Sequence, residues 1–153
     1  MTYNPDDPWG AELQVGEIVS QGVELQGKMY LTESWDVTAS YTFIDMEITE
    51  GTDDLEGTTP IYVPKNSANI WSNYNFNRGS LDGTPLSAGV RYVGEMQMDG
   101  ANSEMVPEYT VVDLSIGYDL GAANPSLEGA SVNLIANNLF DKKYYSCFDT
   151  ANC

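Results

Sequence analysis

Six stretches of about ten residues alternate apolar and polar side chains with a period of two, and nothing else in this sequence limits its fold so sharply. Val23, Leu25, Gly27, Met29 and Leu31 alternate with Glu24, Gln26, Lys28 and Tyr30. Val37, Ala39, Tyr41 and Phe43 alternate with Asp36, Thr38, Ser40 and Thr42. Ala68, Ile70, Ser72, Tyr74 and Phe76 alternate with Asn69, Trp71, Asn73 and Asn75. Between Leu86 and Met96, Leu86, Ala88, Val90 and Tyr92 share one face. Val112, Leu114, Ile116, Tyr118 and Leu120 alternate with Asp113, Ser115, Gly117 and Asp119. A sixth, less regular strand is expected from Ala130 to about Phe140, with Val132, Leu134 and Ala136 on one face.

The connections alternate in length. Thr32-Glu33-Ser34 is a tight turn, and Arg78–Pro85 and Gly121–Gly129 are short and rich in turn residues. Glu50–Lys65, Asp99–Glu108 and the segment from Asp141 onward are longer and polar. Pro60, Pro64, Pro107 and Pro125 fall between strands, where no ladder donor is lost. Short turns at one end and long loops at the other are the pattern of an up-and-down outer-membrane meander. A soluble two-layer sandwich alternates too, but its strands average only about five or six residues. Runs of about ten match a tilted strand crossing a bilayer. Tyr41, Phe43, Tyr74, Phe76, Tyr92 and Tyr118 end the apolar face, where interfacial aromatic girdles would lie. The expected fold class is therefore all-β: an antiparallel up-and-down meander forming part of a transmembrane outer-membrane β-barrel. Six strands fall short of the roughly eight that closure needs, so the barrel is expected to be incomplete. A soluble acidic β-sandwich that binds a partner is the alternative.

Composition removes several function classes. The formal net charge of -17, from 6 Lys+Arg against 23 Asp+Glu, leaves no basic patch for nucleic acid. There is no His, so Ser-His-Asp and Cys-His catalysis cannot be assembled from this chain, and the commonest general base is missing. We expect no enzyme and no cofactor. Asp45, Glu47, Glu50, Asp53, Asp54 and Glu56 offer oxygens to Ca²⁺ but lack EF-hand spacing, and a solvated acidic loop is the preferred reading. Lys28 and Arg91 share the polar face with Glu24, Asp36 and Asp113, where ion pairs across the wall or to a plug are expected. Cys147 and Cys153, close together in a polar stretch, are either a local disulfide or two free thiols. Met1 is followed by polar, acidic residues, so an export signal would lie on other sequence.

Several segments resemble the C-terminal barrel region of TonB-dependent ferric siderophore receptors, nearest the ferrichrome-receptor type. They are Val15-Gly16-Glu17 with Ser20-Gln21-Gly22-Val23-Glu24-Leu25, Ser40-Tyr41-Thr42-Phe43 and Val63-Pro64-Lys65-Asn66. Gly89-Val90-Arg91-Tyr92-Val93-Gly94 and Val106-Pro107-Glu108-Tyr109-Thr110-Val111-Val112-Asp113 follow. The most specific is Asn137-Asn138-Leu139-Phe140-Asp141-Lys142-Lys143-Tyr144-Tyr145.

The resemblance implies that residues 1–153 are the C-terminal portion of such a barrel, with the plug domain and final strand absent. It implies a multi-pass barrel in the cell outer membrane that carries a ferric siderophore as transported ligand. It also implies engagement of a TonB-type energy-transducing complex through the missing N-terminal part. Tyr144, Tyr145 and Phe148 are the candidate ligand contacts, with ordinary packing at the strand end as the plain reading. The Cys147–Cys153 pair is similar to the disulfide of the final extracellular loop in that family. A porin, or a cobalamin or sugar importer, is the alternative within the same architecture.

Overall fold

The computed structural model describes residues 2–3, 12–13, 16–51 and 55–145. Two short strands, β1 (Thr2–Tyr3) and β2 (Glu12–Leu13), pair as a small hairpin. The main sheet follows with β3 (Glu17–Thr32), β4 (Trp35–Glu50), β5 (Asn66–Asn75) and β6 (Pro85–Val93). A second small hairpin joins β7 (Met96–Gln97) to β8 (Met105–Val106), before β9 (Tyr109–Asp119) and β10 (Ser131–Ala136) complete the sheet. Every pairing in the six-stranded sheet is antiparallel, in the order β10-β9-β6-β5-β4-β3. It is an up-and-down meander, as the alternation of turn lengths predicts.

Register is fixed by the apolar pattern, because a slip of one residue would turn every side chain to the opposite face. Leu25 pairs with Tyr41, Tyr41 with Ala68, and Ala68 with Tyr92. One level down, Ala39 pairs with Ile70 and Ile70 with Val90, which pairs with Val112. Further along, Tyr74 pairs with Leu86, Leu86 with Ile116, and Ile116 with Leu134. All the apolar series thus share one face of a single layer. That face is open: Ile70 is 52% and Leu134 68% exposed. The largest fully buried side chains among the described residues are Val106, Val111 and Thr84.

The short connections carry their own local chemistry. Gly79 and Gly83, at φ 73° and 78°, let the chain reverse between β5 and β6. Between β9 and β10, the Asp119 carboxylate accepts the Gly121 N–H at 2.8 Å and the Asn124 side chain accepts the Ser126 N–H at 3.0 Å, capping two single turns of helix.

Three expectations are corrected. Strands β3 and β4 run 16 residues, not about ten. The strand expected to reach Met96 ends at Val93, because Met96 and Gln97 turn off to pair with Val106 and Met105. The strand expected to run to about Phe140 stops at Ala136, where the chain bends and Asn138 takes a φ of 51°.

The length of β4 comes with a change of phase. From Trp35 to Phe43 the odd-numbered residues are apolar. From Ile44 the even-numbered ones are: Ile44, Met46 and Ile48 lie opposite in phase to Asp45, Glu47 and Thr49. Pairing with β3 is unbroken from Asp36↔Tyr30 to Ile48↔Ile18, so no bulge resets the alternation. The chain itself exchanges which face is apolar.

Candidate functional site

Chemistry gathers on the polar face of the sheet and at its long-loop end. Near the short turns, Lys28 Nζ lies 3.3 Å from Asp36 Oδ2, and Asn73 donates to the same oxygen at 3.0 Å. The Lys28 ammonium also sits 4.9 Å from the Tyr30 ring centroid. Three neighbouring strands are thus stitched across one carboxylate. One level up, Asn69 donates to Ser40 Oγ at 2.7 Å. In the middle of the face, the indole of Trp71 covers Gly89, where a side chain would find no room. Asp113, paired in register with Gly89, is 8% exposed. Arg91 NH2 lies 3.8 Å from its carboxylate.

At the long-loop end, residues 55–65 and 94–108 are held together. The Thr59 N–H donates to Asn102 Oδ1 at 2.7 Å, and Asn102 Nδ2 donates back to the Thr59 carbonyl at 2.9 Å. The Tyr62 N–H donates to the Gln97 carbonyl at 2.9 Å. Met96 and Val106 form a small buried cluster against which Tyr62, Val93 and Met98 pack. Residues 55–65 also dock on the upper part of β4, where the Ile48 N–H donates to the Thr58 carbonyl and the Ile44 N–H to the Lys65 carbonyl, both at 2.9 Å. Lys65 Nζ reaches Asp45 at 3.0 Å. A cavity of about 500 Å³ opens between these loops, with Lys65, Asn66, Tyr92, Glu95 and Glu108 on its wall.

The Asp99 carboxylate closes the tip of the second loop, accepting the Glu104 N–H at 2.8 Å, the Ser103 N–H at 2.9 Å and the Ser103 hydroxyl at 2.9 Å. These donors, the Glu104 N–H first, hold its carboxyl below its ordinary value of 3.8.

Of the expected ligand contacts, Tyr144 and Tyr145 lie after β10 at this same end. Tyr144 stacks on Tyr109, with ring centroids 4.3 Å apart and planes at 18°. Tyr145 is 58% exposed. Phe148 and the pair Cys147 and Cys153 lie outside the described residues. The expected polar-face ion pairs take the form Lys28–Asp36 and Arg91–Asp113. The clamp between Asn102 and Thr59 escaped sequence reasoning. Its only local signal is the turn-forming run Asp99-Gly100-Ala101-Asn102-Ser103.

An open sheet with a broad apolar band on one face and a hydrogen-bonded polar face on the other is the geometry of a barrel wall. The family model described as TonB dependent receptor-like, beta-barrel, matches residues 2–139. The chain belongs to this family. Among its relatives, the ferrichrome outer membrane transporter/phage receptor of Escherichia coli is 45% identical over 150 residues, covering 96% of this chain and 20% of the relative. The ferrioxamine B receptor of Salmonella typhimurium is 37% identical, covering 97% of this chain and 21% of the relative. The chain thus spans about a fifth of the length of these relatives. Among solved structures, the siderophore receptor PiuA from Acinetobacter baumannii matches 85% of this chain and 19% of its own, with TM-score 0.68 and 28% identity. The ferric preacinetobactin receptor BauA from the same organism matches 86% of this chain and 19% of its own, at TM-score 0.72 and 21% identity, and shares the fold.

Proposed function

We propose that this chain is a wall segment, with its loops, of an outer-membrane receptor that actively imports a ferric siderophore. The observation that carries this reading is the 45% identity to a ferrichrome transporter across nearly the whole chain. Trp35 to Phe43 spans eight residue steps of the apolar face. That is about 27 Å along the strand, or roughly 21 Å at a tilt of about 40°. The apolar band of an outer-membrane barrel stands about 25 Å tall. The open apolar face then meets lipid, and the polar face a wet interior. Backbone groups are satisfied between strands, as hydrocarbon demands.

In this reading, residues 1–153 are the C-terminal portion of the barrel. A plug domain, a final strand and the segment that engages a TonB-type complex belong to the rest of the receptor. The long-loop end faces outward and meets the ligand. Tyr144 and Tyr145 contribute aromatic contacts to the chelate, joined by Phe148. A disulfide between Cys147 and Cys153 closes the last loop. Capture is non-covalent, and the work done is transport rather than catalysis.

The test is an antibody against the Glu50–Lys65 loop, used on outer-membrane fractions of iron-starved and iron-replete cells. The expected result is a band several times larger than 16.8 kDa, stronger under starvation. A soluble 16.8 kDa band indifferent to iron would overturn the reading.

A further inference from the structure

The segment after β10 does not leave the sheet freely. The main chain turns at Asn138, and the Asn138 N–H donates to Asp113 Oδ1 at 2.8 Å, across a gap of 25 residues in sequence. The next N–H, of Leu139, donates to the Val112 carbonyl at 2.7 Å. The Asn138 side chain then closes a ring over the following turn. Its Nδ2 donates to the Lys142 carbonyl and its Oδ1 accepts the Lys142 N–H, both at 2.9 Å. Asn138 and Asp141 hold φ values of 51° and 50°, a conformation that Asn and Asp tolerate better than most residues. Two residues beyond Lys142, Tyr144 stacks on Tyr109. Tyr109 is the first residue of β9, and Asp113 lies four residues further along the same strand. One strand therefore holds the segment at both ends.

We propose that Asp113 is a positioning residue, a latch that folds residues 138–145 back along β9 and so sets Tyr144 on Tyr109. Its carboxylate divides its two oxygens: Oδ1 takes the Asn138 N–H, and Oδ2 faces the Arg91 guanidinium at 3.8 Å. A buried carboxylate accepting a main-chain N–H is a strong anchor, and removing it strands a donor. The value of the latch to ligand capture rests on the reading of Tyr144 as a ligand contact. The latch itself does not.

Trypsin cleavage after Lys142 and Lys143 reads the latch directly, because cleavage needs the segment to open and tracks how often it does so. The experiment uses the full-length receptor carrying this segment, purified from outer membranes. Assembly is checked first, by retention of the compact gel band in unheated detergent. Asp113→Ala is expected to speed cleavage there by about tenfold. Asp113→Asn, which keeps an oxygen acceptor for Asn138, is expected to stay within about twofold. An assembled Asp113→Ala receptor cleaved at the wild-type rate overturns the proposal. Should Asp113→Ala fail to assemble, amide exchange on the wild-type receptor decides: the Asn138 N–H, bonded to Asp113 Oδ1, is expected to be protected, and exchange there as fast as at an exposed amide overturns the proposal. Ferrichrome affinity measured on the same variants separates the two readings. Faster cleavage with weaker ferrichrome binding supports both. Faster cleavage with unchanged binding keeps the latch and removes Tyr144 from the ligand site.

Discussion

Gly89 occupies a position where even one methyl group has no room. A β-carbon built there would stand 2.7 Å from the indole of Trp71. Gly27, in the longest hairpin, has nothing within 4 Å of such an atom. Gly89→Ala in the full receptor is expected to lower barrel stability by about 1–3 kcal/mol, the cost of overpacking. Gly27→Ala is expected to be neutral or slightly stabilising through the unfolded chain. Gel mobility shift against temperature would compare the two, and equal midpoints would refute the steric account. Asp99 carries a pH expectation. Its carboxyl is held below the ordinary 3.8, so what its ionised form adds to loop closure is fully present above that value. That contribution fades only as pH falls through the lower folded value. Amide exchange at Glu104, corrected for intrinsic chemistry, should show the same protection at pH 7 and pH 5. Asp99→Ala should lose that protection at both.

The hairpin of β3 and β4 shows what a sequence can and cannot announce about a strand. The period of two is readable along both strands, and the faces it assigns from Val23 to Tyr30 and from Asp36 to Phe43 are the faces observed, while Leu31 falls in a register irregularity. The ends were not readable in the same way. An interpretation that ties one face to apolar character stops at Phe43, because Ile44, Met46 and Ile48 sit on the other face. The strand continues, and its surroundings change. The early end of β10 had a different cause: the bend at Asn138 depends on a carboxylate 25 residues earlier in the chain. The pairing of Asn102 with Thr59, 43 residues apart, was hidden for the same reason. Local pattern reports local preference, and tertiary hydrogen bonds override it. The change of phase predicts a contrast on one face of one strand. Ala39→Lys, in the middle of the apolar band, is expected to cost about 2–4 kcal/mol of barrel stability. Glu47→Lys, eight residues further along the same face, is expected to stay within about 0.5 kcal/mol. Unfolding of the receptor in lipid vesicles with guanidinium would measure both.

At the scale of the whole molecule, the described residues form a six-stranded single layer with few buried side chains among them. Leu25, Met29, Ile70, Val132 and Leu134, all on the apolar face, are each more than half exposed. Continuous apolar surface of this kind does not persist in water. The 153-residue chain expressed alone is therefore expected to sediment as aggregate at micromolar concentration without detergent. A monodisperse monomer in plain buffer would contradict the barrel-wall reading.

The same hairpin also sets an arithmetic for change. Because β4 swaps its apolar face without a bulge, everything above Phe43 is oriented by counting. One inserted residue there would turn Ile44, Met46 and Ile48 outward and Asp45 and Glu47 inward. Two residues inserted in each strand would raise both upper ends by about 7 Å and leave every side chain facing as before. Variation in the height of this hairpin should come in even steps, so its reach can drift between descendants while its parity stays locked.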